Sequence, residues 1–163
     1  MSDQPIQNFY GDDVATCYGC GRNNQHGLHV RTFWNGEEGI AHFTPQPYHI
    51  GYPGVVYGGL LASIIDCHSI ATAVAAMYDR EKRTPGSDPI ITCVTAQLNV
   101  YFRKPTPIGA ELTLTATAGN VSKKKADVLC VLTVNDIHTV SAEVVAVRTN
   151  PPTTSTGRGR WGF

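Results

Sequence analysis

From Leu60 to Met77 the chain is almost continuously apolar, and Asp66 is the one formally charged side chain between Gly59 and Tyr78. Apolar residues recur at Leu60, Leu61, Ile64, Ile65, Ala71, Val74 and Ala75, a spacing that predicts a helix over Leu60–Met77. A helix this apolar has no solvent face to spare and must be covered on nearly all sides. The longest apolar run, Val55–Tyr78, is broken by Gly58, Gly59, Ser63, Asp66 and His68, so no stretch is expected to reach the length a membrane span needs.

The rest of the chain supplies the cover. Leu28–Trp34 and Gly39–Phe43 read as short strands joined by the turn Asn35-Gly36. A Gly- and Pro-rich loop over His49–Gly59 leads into the helix, and a charged loop over Asp79–Asp88 leaves it. Ile90–Arg103 alternates, with Val94, Ala96, Leu98, Val100 and Phe102 expected on one face and Thr95, Gln97, Asn99 and Tyr101 on the other. Glu111–Ala118, Ala126–Val134 and His138–Arg148 read as three further strands, the last two joined at Asn135-Asp136. Two strands, one long helix, then four strands predict an α+β domain in which an antiparallel sheet wraps the helix. Pairing two such sheets edge to edge would remove exposed edges, so a homo-oligomer, a dimer or a dimer of dimers, is expected.

Composition narrows the class. Hydrophobic residues make up 42% and charged residues 16%, and 13 basic residues balance 13 acidic ones. Zero net charge argues against nucleic acid as a partner, and no membrane partner is expected. Residues 1–16 are read as a flexible leader without a signal peptide, 17–149 as the domain, and 150–163 as a flexible tail. Of the 5 cysteines, Cys67, Cys93 and Cys130 lie in apolar segments. Reduced buried thiols, and hence a cytoplasmic location, are expected.

Four features carry chemistry. The loop Gly51-Tyr52-Pro53-Gly54-Val55-Val56-Tyr57-Gly58-Gly59 ends at a helix start, where free N–H groups and the positive dipole end can hold a developing oxyanion. Asp66 shares a helix face with the small residues Gly59, Ala62, Ser63 and Ala73, which leaves room for a substrate. Burial would raise its pKa and improve it as a base. Thr95 offers a hydroxyl for a water or for the carboxylate. Lys123, Lys124 and Lys125, with Arg103 and Lys104, could meet phosphates. Each also has a plainer reading: a tight turn, a buried acid satisfied by backbone, a β-favouring threonine and a solvated turn. A fifth feature, Cys17-Tyr18-Gly19-Cys20 with His26 and His29, has the residue types of a Cys2His2 zinc site. Its histidine spacing is shorter than in common fingers, and a turn into the first strand is the preferred reading. No metal and no cofactor are expected.

Taken in order, these segments resemble the hotdog-fold thioesterases of the phenylacetate-pathway (PaaI-like) type. The resemblance spans roughly Cys17–Val147 and rests on Cys17-Tyr18-Gly19-Cys20-Gly21 with Gly27-Leu28, on His49–Gly59, on Leu60–Asp66, and on Asn99–Pro105 with Pro107 and Gly109. It implies a thioesterase acting on an acyl-CoA or acyl-carrier thioester. Asp66 falls on the family's catalytic carboxylate, Thr95 on the hydroxyl that positions water, and Gly58 on the N–H that polarises the carbonyl, with the site shared between protomers. Independently of that mapping, His49, Gly59, Ser63, Arg103 and Lys124 are expected to contact the substrate, and Tyr57 to belong with the catalytic groups. Tyr57 stands where relatives have the histidine of His-Gly-Gly, and Ile50 and Gly51 stand where an amide is usual. Those departures keep open a protein that binds or tailors an acyl thioester without hydrolysing it. A hydratase is disfavoured, because Asp66 and His68 lie on different helix faces.

Overall fold

The computed structural model describes residues 3–149. The expected tail, 150–163, lies outside the described residues. Helix α1 runs Gly58–Arg80, and the strands are β1 (Phe33–Trp34), β2 (Glu38–Phe43), β3 (Thr92–Phe102), β4 (Leu112–Gly119), β5 (Lys125–Val134) and β6 (Ile137–Thr149). They form one antiparallel sheet in the order β1-β2-β4-β5-β6-β3. The sheet curls around α1, which touches β2 through β6. This is the hotdog arrangement, α+β, with the helix as its filling.

Helix α1 is three residues longer at its C-terminal end and two longer at its N-terminal end than the apolar periodicity predicts. At 23 residues it is long and apolar enough to cross a membrane, against the sequence expectation. Here 72% of its most apolar window is buried, so the sheet does what a bilayer otherwise would. The inward faces of β4, β5 and β6 are built from Leu112, Leu114, Ala116, Ala126, Val128, Cys130, Leu132, Val140, Ala142, Val144 and Ala146, all buried. The alanines let the helix sit close. Gly39 goes further: a Cβ there would run into the Thr72 side chain and lie 3.1 Å from Thr32 Cγ2.

Both predicted turns are present. Gly36 adopts φ +101°, and Asn35 Oδ1 accepts from the N–H groups of Glu37 and Glu38 at 2.9 and 2.8 Å. Asn135 and Asp136 both have positive φ, the signature of a type I′ hairpin.

Three expectations need correction. Residues 28–32 do not join the sheet: the N–H groups of Leu28 and Val30 go instead to the carbonyls of Tyr18 and Gly19, in the cysteine loop. The segment before Cys17 is not a loose leader throughout. Residues Ile6–Phe9 form a 3-10 turn, Ile6 is fully buried, and Gln7 bonds both the backbone and the hydroxyl of Thr32. The third concerns β3. Its ladder with β6 slips between Thr95 and Gln97, leaving Ala96 as an extra residue. The bulge reverses the inside–outside phase. Cys93 and Thr95 face the helix before it, and Leu98 and Val100 pack on the core after it. Thr95 is therefore not on the face of Gln97.

Candidate active site

Asp66 lies half-buried on α1, and Thr95 lies half-buried on β3 opposite it. The Thr95 hydroxyl donates a short hydrogen bond to Asp66 Oδ1. Burial pushes the Asp66 carboxyl above its ordinary value; the Thr95 bond opposes this and the nearby Cys17 adds to it. A carboxylate so placed is oriented, more basic than usual and accessible. It opens onto a cavity of about 240 Å³, walled chiefly by apolar groups such as Val14, Ile70, Val74 and Val94.

The helix entrance is a second, separate site in this chain. Tyr57 is the N-cap of α1 but supplies no side-chain cap. Helix geometry leaves the N–H groups of Gly58 and Gly59 without intrahelical acceptors. The Tyr57 ring folds back over Gly59, where any Cβ would collide with it. His49, Tyr57, Gly59 and Ser63 line a cavity of about 320 Å³ at the entrance.

Within one chain, then, the predicted catalytic set divides. Asp66 and Thr95 meet; Tyr57 lines the other cavity with the predicted binding residues His49, Gly59 and Ser63, and Gly58 stands next to Tyr57 at the start of α1. His49 Nδ1 accepts from the Gln46 N–H at 3.0 Å, and its carbonyl accepts from the Tyr57 N–H at 2.9 Å, so it braces the loop. Burial lowers its pKa. Ser63 donates back to the Gly59 carbonyl at 2.8 Å. The expected basic cluster is also divided. Arg103 follows the end of β3, donating to Ser141 Oγ at 3.1 Å, whereas the Lys124 carbonyl bonds the N–H of Arg148, which pairs with Cys93 at the start of that strand. An 11-residue strand separates the two ends, about 35 Å of extended chain.

The sulfur atoms of Cys17, Cys20 and Cys67 gather beside Asp66, on the wall of the same cavity. His26 and His29 are not in that group, so the Cys2His2 set does not form. Cys67 directly follows Asp66 in sequence, which is the one cue that could have placed it there.

The thioesterase superfamily profile matches residues 53–145, from the glycine loop to β6. The chain belongs to the thioesterase superfamily. A thioesterase superfamily protein from Shewanella loihica PV-4 shares 38% identity, with 77% of this chain and 95% of that one covered, at a TM-score of 0.61. Two more distant structures share the fold. The E. coli PaaI protein of the phenylacetic acid degradation operon is 14% identical, covering 75% of this chain and 80% of that one, at a TM-score of 0.61. A hypothetical thioesterase protein from Streptococcus pneumoniae TIGR4, solved with coenzyme A, is 13% identical, covering 74% of this chain and 86% of that one, at the same TM-score of 0.61. No curated protein matches the chain.

Proposed function

We propose that this protein hydrolyses an acyl-CoA or acyl-carrier thioester in the cytoplasm, at a site completed by a second copy of the chain. The observation that carries the reading is the Asp66 carboxylate, oriented by Thr95 and made more basic by burial on the wall of an apolar cavity. Membership of the thioesterase superfamily supports thioester hydrolysis as the general chemistry. Distant structures of this fold hold coenzyme A or acetyl-CoA, which favours a CoA ester. None of the 5 cysteines is in a disulfide, in keeping with a reducing compartment.

In this mechanism Asp66 takes a proton from water as the oxygen attacks the thioester carbonyl carbon, or attacks that carbon itself. The N–H of Gly58, at the positive end of α1, stabilises the oxyanion. On the general-base route the C–S bond then breaks and the leaving thiolate takes the proton that Asp66 received from water. On the nucleophilic route the C–S bond breaks to leave an acyl–Asp66 anhydride, which a water then hydrolyses, supplying the oxygen of the acid and the proton of the thiol. The products are a carboxylic acid and a free thiol.

The divided site is the reason for a second copy. Strand β3 ends the sheet, so it is free to pair. Antiparallel pairing of two β3 strands about Leu98 would set Thr95 of one chain against Tyr101 of the other. Phe102 packs at the helix entrance, with its Cζ 3.3 Å from the Cβ position of Gly58. Asp66 would thus meet the Gly58 turn across the interface, and the same pairing would bring an Arg103 end beside a Lys124 end for the coenzyme's phosphates. One observation favours non-hydrolytic binding instead: the Tyr57 ring covers part of the helix entrance.

The test is thiol release from a panel of short, aromatic and long acyl-CoAs, with light scattering on the same sample. Release together with a dimer or larger assembly supports the proposal. Saturable binding without release moves the reading to a binding protein, and a micromolar monomer defeats the shared site.

A further inference from the structure

The three thiols beside Asp66 come from two distant parts of the chain. Cys17 and Cys20 sit on one loop, and Cys67 projects from α1. All three sulfurs lie within 4.8 Å of one another, and Cys17 Sγ and Cys67 Sγ are 3.7 Å apart. A tetrahedral ion about 2.3 Å from each sulfur sets a sulfur–sulfur edge of about 3.8 Å. The Cys17–Cys67 edge already has that length.

The loop is shaped for this. The Gly21 N–H closes the turn on the Cys17 carbonyl at 2.8 Å, and Arg31 donates to the Cys20 carbonyl at 2.8 Å. A Cβ at Gly19 would strike Cys67 Sγ, so that glycine lets the loop close on the helix. The Tyr10 hydroxyl on the same cavity wall is buried and has no hydrogen-bond partner among the described residues. It is a donor awaiting an acceptor such as a metal-bound oxygen or a thiolate.

We propose that Cys17, Cys20 and Cys67 form a metal site for a thiophilic divalent cation, zinc above all, with a fourth ligand from solvent. Three thiolates suit a soft or borderline cation and not magnesium or calcium. The ion fastens the residue 17–21 loop to α1 and fixes one wall of the Asp66 cavity. This replaces the expectation of no metal, and the ligand set is not the Cys2His2 set considered from the sequence.

The protein purified from zinc-supplemented cells under reducing conditions should carry about one zinc per chain by elemental mass spectrometry. Cys67→Ser should bring this below about a tenth, while His26→Ala and His29→Ala should retain it. Should Cys67→Ser fail to fold, cobalt(II) added to the metal-stripped native chain decides: a thiolate-to-cobalt charge-transfer band with tetrahedral ligand-field bands is expected. A reduced chain with no zinc and no such band overturns the proposal. So does metal retained in folded Cys67→Ser, or a metal-free chain with Cys17 and Cys67 joined as a disulfide. None of these readouts depends on thioester hydrolysis.

Discussion

Asp66 and Thr95 touch, so their roles are best separated by mutating them together. Asp66→Asn keeps the shape of the side chain and removes both charge and basicity. Loss of a general base or nucleophile should lower kcat by about a hundredfold or more, about 2.7 kcal/mol of barrier. Thr95→Val keeps the volume and removes the donor to Oδ1. Two effects then oppose each other. The freed carboxylate is more basic, because the Thr95 bond lowers its pKa. It also loses its orientation, and misplacement of a reacting group by about 1 Å costs about a hundredfold. Orientation should win, giving a drop in kcat of about ten- to a hundredfold, largely rescued in Thr95→Ser. If Thr95 acts through the carboxylate, the double variant should be no slower than Asp66→Asn alone. Stopped assays of thiol release on the best substrate of the panel, with urea midpoints on the same preparations, measure both quantities. Wild-type kcat in folded Thr95→Val refutes a positioning role. A double variant about tenfold slower than Asp66→Asn refutes action through Asp66 and transfers Thr95 to the water or substrate.

Three further outcomes test the frame around the site. Gly39→Ala forces a methyl into Thr72 and should cost about 1–3 kcal/mol by overpacking; Thr72→Ala in the same chain should recover much of that in chemical denaturation. Tyr57→His should stay folded, since the Tyr57 ring is 60% exposed, and should preserve or raise thiol release; a folded variant that loses activity assigns Tyr57 a role of its own. Glu81 accepts from Arg83 at 2.7 Å and Arg148 at 2.5 Å, bonds that hold its carboxyl below the usual value. A depressed carboxyl stabilises the fold fully above its unfolded value near 4.5, and this is lost as pH falls through the lower folded value. Glu81→Gln should therefore cost about 1 kcal/mol or less at neutral pH, with the gap closing in thermal melts below that range.

Most of the fold was legible because its signals are local and repeated. The apolar helix, the four later strands and the turns at Asn35-Gly36 and Asn135-Asp136 each announce themselves within a few residues. What escaped depends on distant partners. Leu28–Thr32 has the pattern of a strand, yet its amides are taken by the cysteine loop and by Gln7. Ile6 and Gln7 sit in a polar leader, and nothing local says that one enters the core while the other satisfies Thr32.

Strand β3 shows the limit most clearly, because there the pattern was legible and its phase was not. Val94, Ala96, Leu98, Val100 and Phe102 alternate without a break in the sequence, so Thr95 reads as outward with Gln97. One unpaired residue at Ala96 turns the first half of the strand over. The same slip delivers Cys93 to Met77 and Thr95 to Asp66 while leaving Leu98 and Val100 on the core. An unbulged β3 would keep its apolar stripe and give Asp66 no hydroxyl. The cysteines follow the same logic. Cys17-x-x-Cys20 is visible as a pair, but its third sulfur stands one residue past Asp66 on the helix that the sheet encloses. In both cases the residue types could be picked out along the chain, and the contact that gives them chemistry exists only after the sheet has closed around α1.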